Sequence, residues 1–193
     1  MASPNGTGTH TPIIGRIALL CTLALCCGNS FAIDDAQDMV QHGEYLTTIL
    51  GCGGCHTEGA LLGDAHGKWL AGSRIGVAYT AEAGDTTPGL VFPGNLTSDQ
   101  ETGLGAWSEQ DIAKFLRTGM DHYGKQANAV MPWPNYALLK DRDLRAIAAF
   151  LKTLAPVHKP IPESVAAGAP INHSFVRVGV YLFVPEETTT EDQ

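Results

Sequence analysis

The 193-residue chain has room for one domain with a real core and not for two large ones. Its formal charge of −8 argues against nucleic acid as a partner, because phosphates demand a basic face. With 22 glycines and 11 prolines, many of them between 51 and 105 and again past 155, the composition predicts short helices joined by long loops.

Arg16 precedes the apolar run IALLCTLALCC, and GNSFAIDD follows, with Ser30 and Ala32 at the −3 and −1 positions of a cleavage site. That order predicts a signal peptide over 1–32, cleaved near Ala32, and export to the periplasm. The run falls short of the roughly 20 apolar residues that span a bilayer, so no transmembrane helix is expected in the mature chain. A lipid anchor on Cys26 or Cys27 is the weaker alternative, since Leu25 is bulkier than such a signal prefers. Cleavage removes Cys21, Cys26 and Cys27 and leaves Cys52 and Cys55. It also removes Arg16 and no acidic residue, so the mature chain is more acidic still.

DDAQDMVQHGEYLTTIL predicts the first helix, capped by Asp34 or Asp35, with Val40, Tyr45, Leu46, Ile49 and Leu50 as a partly apolar face. Gly43 weakens a helix, which predicts the close approach of another one at that point.

The stretch CGGCH at 52–56 follows. A Cys52–Cys55 disulfide is one reading, but redox motifs of this spacing usually open a helix in a βαβ setting. A tetrahedral zinc site is another, but it needs four ligands and no second cysteine pair survives processing. The third is one covalent c-type haem. Both thiols add to the vinyl groups on one porphyrin edge, and His56 then lies beneath the iron as proximal ligand. Gly53 and Gly54 let the backbone turn against the ring. Attachment after export agrees with the signal peptide.

Trp69 and Trp107 offer indole N–H groups to haem propionates, with aromatic packing as the commoner role. Asn95 and Thr97 offer either a propionate contact or a turn. WSEQDIAKFLRTG predicts a second principal helix: Ser108 and Asp111 form a capping box, Ile112, Phe115 and Leu116 one face, and Gly119 the stop.

Met131 opens MPWPNY, where Pro132 and Pro134 stiffen the loop and fix the direction of the thioether. Met131 is therefore the expected sixth ligand of the iron. Such Met/His ligation raises the haem potential and fills both axial positions. Met120, at a helix end, reads as packing. His122 is the runner-up ligand, and Trp133 and Tyr136 are expected to wall the pocket. DRDLRAIAAFLKTLAP closes the set as a third helix, with Asp141 as cap, Pro156 as stop, and Leu144, Ile147, Ala148 and Leu151 on one face beside Phe150 and Leu154. In the tail, FVRVGVYLFV alternates partly like a strand that packs on the body, and EETTTEDQ is acidic and expected to be disordered.

The stretches GEYLTTILGCGGCHT, PGNLTSDQETGLGAWSEQDI, LRTG and MPWPNYALLKDRDLRAIAAFLKTLAP resemble the class I cytochrome c family over about 36–156. More narrowly, the chain resembles cytochrome c domains of bacterial periplasmic electron-transfer chains and of membrane-associated dehydrogenases. The resemblance implies an all-α, cytochrome c-like fold, with three principal helices and long loops around one covalent haem c. It also implies Cys52, Cys55, His56 and Met131 as haem-binding residues, with His56 and Met131 on the iron. The expected divisions are 1–32 signal peptide, 33–157 cytochrome c domain and 158–193 C-terminal extension. Two departures stand out: a single CxxCH where multihaem dehydrogenase cytochromes carry two or three, and a long insert between about 62 and 95.

The preferred reading is an exported mono-haem carrier of single electrons with no catalytic residues of its own, working between redox proteins such as a dehydrogenase, an oxidase or another cytochrome. The rivals are an electron-transfer subunit of a dehydrogenase or oxidase complex, a haem-dependent oxidoreductase or peroxidase with His66 or His122 as the acid–base group, and a haem-based sensor.

Overall fold

A computed structural model describes residues 35–79, 88–128 and 130–178. The expected signal peptide and the acidic end of the tail lie outside these residues. The chain divides into two units, Met1–Met39 and Val40–Gln193. A helix covers 35–49. Residues 35–39 are the described part of the first unit, and the remaining part, 40–49, is α1 of the second unit, described below.

After α1 come a single turn, α2 (Cys52–Cys55), and a 3₁₀ turn at Ala60–Leu62. Two strands follow, β1 (Gly76–Tyr79) and β2 (Pro88–Val91), then α3 (Glu109–Thr118), α4 (Trp133–Tyr136) and α5 (Asp141–Thr153). Two last strands, β3 (Val165–Ala166) and β4 (Phe175–Val178), end the described chain.

The core gathers on α5, where Leu144, Ala146, Ile147, Ala148, Phe150 and Leu151 are buried along the expected face. Helix α3 packs on it through Ile112 and Leu116. The expected capping box is present: the Ser108 Oγ accepts the Asp111 N–H, and the Asp111 carboxylate accepts the Ser108 N–H. Gly119 closes α3 in the left-handed region at φ 66°. The expected Asp141 cap is corrected, because Lys140 precedes α5 and Asp141 is its first residue. There Asp141 accepts from Arg117, whose guanidinium also donates to the Ala137 carbonyl and so links α3, the end of α4 and α5.

The expected apolar face of α1 is also corrected. Leu46 is buried, but Tyr45 and Ile49 are 59 % and 58 % exposed. The buried stripe is Gly43, Leu46 and Thr47, at i, i+3 and i+4, and it includes the hydroxyl-bearing Thr47 because Gly43 is where α5 comes closest. Across that contact His42 bonds Asp143 at 2.8 Å.

The all-α expectation does not hold. The insert and the tail build a four-stranded mixed sheet in the order β3-β2-β1-β4. β1 and β2 are antiparallel, with Val77 opposite Val91 and Ala78 opposite Leu90. β4 runs parallel to β1 from Gly76↔Phe175 to Tyr79↔Val178. The physical reason is that the insert's backbone polar groups need partners, and the start of the FVRVGVYLFV segment supplies them. The reading of that segment as a strand packed on the body holds over Phe175–Val178.

Candidate functional site

The Gly51 backbone turns left-handed at φ 73° and launches α2, which carries Cys52 and Cys55 one turn apart. The two cysteines are free, half-buried and not bonded to each other. Burial pushes the Cys52 thiol up to about 11, against the lowering effect of a backbone hydrogen bond, and raises Cys55 as well.

Gly53 faces the Trp69 side chain: a Cβ there would stand 2.5 Å from the indole Nε1. Gly54 has nothing of the described residues within 4 Å of where a Cβ would stand. Neither has a positive φ, so the Trp69 side chain is what demands a glycine at 53. Trp69 in turn lies 5.8 Å, centroid to centroid, from Phe150 of α5. Trp107 likewise packs on an aromatic ring, meeting Phe115 edge-on.

His56 ends the turn, its N–H bonding the Cys52 carbonyl at 2.9 Å. Its Nδ1 lies 2.7 Å from the Gly94 carbonyl oxygen. A carbonyl only accepts, so the proton sits on Nδ1 and the Nε2 lone pair is free. Burial lowers the His56 pKa, against the raising effect of that bond, and the ring is neutral. An oriented, neutral imidazole with one bare nitrogen, directly after two unpaired thiols, fits the donor set of a c-type haem site. Among the described residues no group of three or more His, Cys, Asp or Glu could hold a metal ion by itself.

The loops behind His56 are tightly held. The Gly72 N–H donates to the His56 carbonyl at 2.8 Å. Leu70 is fully buried and left-handed at φ 61°, a strained conformation for a bulky residue. Its N–H donates to the Thr57 Oγ1 at 3.1 Å, and its carbonyl accepts the Leu96 N–H at 2.8 Å. Asn95 and Thr97 form a turn rather than an open donor pair. The Asn95 Oδ1 accepts both the N–H and the hydroxyl of Thr97, and its Nδ2 donates to the Thr102 Oγ1 and the Val157 carbonyl.

Met131 follows a turn in which its N–H donates to the Asn128 carbonyl at 3.0 Å, and its own carbonyl accepts from Trp133 at 2.7 Å. Five residues on, Tyr136 is buried, and its phenol is pushed up to about 12, first by burial and then by the nearby Cys52 and Cys55. The Met131 loop thus leads into a helix that lies beside the cysteine pair. Met120 is part-exposed in a bridge to Gln126. His122 is exposed, its ring edge-on to Trp107 at 4.4 Å and tilted against Tyr123 at 4.0 Å. His66 is exposed with its Nδ1 on the Asp64 carbonyl.

Sequence reasoning missed Gly94, Gly72 and Lys159 as neighbours of the site. The Pro93–Gly94 pair signals a turn, but nothing in it says which way its carbonyl points.

No protein-family model matches the chain. It is 34% identical over 149 residues to the gluconate 2-dehydrogenase cytochrome c subunit of Pantoea cypripedii, covering 74% of this chain and 30% of that protein. It is 31% identical over 128 residues to the cytochrome c subunit of alcohol dehydrogenase (quinone) from Gluconobacter oxydans, covering 66% of this chain and 24% of that protein. A diheme cytochrome c-type protein of Cereibacter sphaeroides is 29% identical over 114 residues, covering 59% and 36% respectively. The chain therefore spans about a quarter to a third of the length of these relatives. No helix of the described residues is long and apolar enough to cross a membrane.

Proposed function

The chain carries a c-type cytochrome domain, and from that premise we propose that it passes single electrons as part of a dehydrogenase system, through one haem attached to Cys52 and Cys55. The observation that carries this reading is the His56–Gly94 bond, which leaves Nε2 as the metal-binding nitrogen beside two unpaired thiols. Bound there, a haem supplies a one-electron iron couple. His56 would hold the iron through Nε2, kept in one tautomer by the Gly94 carbonyl. Met131 would be the second protein group to hold the iron, in preference to His122, whose ring sits in exposed edge-on and tilted contacts with Trp107 and Tyr123. The buried Tyr136 would shield the cysteine side from water. No residue of the chain acts on a substrate. Residues 33–157 form the haem domain and 158–193 an extension, on a protein exported to the periplasm with its signal peptide cleaved near Ala32.

The relatives are named as subunits of dehydrogenases, which favours a cytochrome subunit over a free shuttle. The electron donor is then a substrate-oxidising dehydrogenase, and the acceptor another redox protein.

Two measurements test the proposal. The ferric protein should show a far-red methionine–iron band that Met131→Ala abolishes. A high-spin ferric spectrum in the unmutated protein would instead support a haem enzyme. Affinity purification of the full-length chain from its own host should bring a dehydrogenase whose substrate reduces the haem. Recovery of the chain alone would restore the free shuttle.

A further inference from the structure

Behind His56, three segments far apart in sequence meet at one ammonium group. The Lys159 Nζ donates to the Gly72 carbonyl at 2.8 Å and lies 2.6 Å from the Glu58 Oε2. Both of these charged side chains are largely buried, 14 % and 13 % exposed. The same Glu58 oxygen accepts the Arg74 N–H at 3.1 Å. Glu58 is two residues after His56, and the Gly72 N–H holds the His56 carbonyl. Lys159 therefore reaches His56 through both flanks of its loop.

The strand of chain around Lys159 is fixed on the opposite side as well. The Val157 carbonyl accepts from Asn95, next to Gly94, and the Lys159 N–H donates to the Thr102 Oγ1 at 2.9 Å. Ile161 packs so closely on Gly72 that a Cβ there would stand 2.8 Å from its Cδ1. The two peptide groups that orient His56, at Gly72 and Gly94, are thus both pinned by residues 157–161.

We propose that Lys159 is a positioning residue for the haem iron: by holding the Gly72 carbonyl and Glu58 together, it fixes the loops that orient His56 and so sets the midpoint potential. This rests on the proposed role of His56 as proximal ligand. A buried ion pair whose members each bond a loop backbone is a costly arrangement unless it enforces one geometry, which is the use made of it here. The ammonium is also a cation on the His56 side, and its loss favours the ferric state.

The test compares holoprotein carrying Lys159→Met with holoprotein carrying Asp143→Asn, which weakens the α1–α5 contact away from His56. Lys159→Met should lower the midpoint potential, change the ferric EPR g-values, and speed amide exchange at Gly72 about tenfold, an opening free energy of roughly 1.4 kcal/mol. Asp143→Asn should lower the melting temperature and leave all three unchanged. Lys159→Arg, which restores the cation, should recover much of the potential. If Lys159→Met only lowers the melting temperature, the inference is overturned while the haem reading stands. If the unmutated protein bears no haem, or His56→Ala leaves the spectrum intact, both fall.

Discussion

Gly43 of α1 meets the backbone of Ala146 in α5 with no room for a side chain: a Cβ on Gly43 would stand 1.9 Å from the Ala146 carbonyl oxygen and 2.8 Å from the Phe150 Cβ. Backbone atoms cannot swing aside as a flexible side chain can. Gly43→Ala should therefore push the helices apart and destabilise the protein by about 3 kcal/mol, at the upper end of ordinary overpacking. Chemical denaturation checks this, and an unchanged midpoint would mean the helices do not cross there.

The two glycines of CGGCH should behave differently. A methyl group on Gly53 collides with the Trp69 indole, whereas one on Gly54 meets nothing among the described residues. Gly53→Ala should cost on the order of 1–2 kcal/mol, by displacing Trp69 from Phe150. Gly54→Ala should be neutral or stabilising by about 0.5 kcal/mol, because it restricts the unfolded chain. Thermal unfolding of the two variants, with near-ultraviolet circular dichroism for the tryptophan, separates them.

How much of this was open to sequence reasoning depended on the range of the interaction. Local patterns read well. The capping box at Ser108, the apolar stripe of α5 and the exceptional glycine at 43 are all set within a few residues. Of the sheet only β4 was legible, in the alternation of FVRVGVYLFV; β1, β2 and β3 are two to four residues long and pair at long range, Gly76 with Phe175 for instance. Over so few residues alternation does not separate a strand from a loop. The α1 face was misjudged because Tyr45 and Ile49 are apolar by type, while the crossing selects the small Gly43 and its neighbours Leu46 and Thr47. CGGCH carries the chemistry proposed for the site. Its support did not show, since His56 and Lys159 are held by carbonyl oxygens, which every residue has.

Lys152 is a further case of that kind. Its Nζ donates to the carbonyls of Leu104, Gly105 and Trp107 at 3.1, 2.8 and 2.9 Å, binding the loop before α3 to the last turn of α5. Lys152→Met keeps the aliphatic stem and removes all three bonds. The expected loss is about 2–3 kcal/mol, given the usual worth of hydrogen bonds from a charged donor. Equilibrium unfolding in urea measures it, and a loss below about 0.5 kcal/mol would place the lysine among ordinary surface residues.

The His42–Asp143 bond gives the α1–α5 crossing a pH dependence. The His42 hydrogen bond, with smaller help from its charge, from a backbone bond and from Lys140, holds the Asp143 carboxyl below its ordinary 3.8. A depressed carboxyl contributes stability above its unfolded value and loses it as pH falls through the folded value. Asp143→Asn should therefore lower the melting temperature near neutral pH and converge with the unmutated protein as pH falls below the carboxyl's ordinary 3.8. A difference that stays constant from pH 7 to pH 2 would show that the pair gives the crossing no pH dependence, and coincident curves that it contributes nothing.

The most direct measurement is the intact mass of the exported protein under denaturing conditions, with and without Cys52→Ser and Cys55→Ser. The account predicts a polypeptide heavier by one haem that denaturation does not release, no thiol at Cys52 or Cys55 open to alkylation, and loss of the added mass in the double variant. A bare polypeptide with two alkylatable cysteines would contradict it.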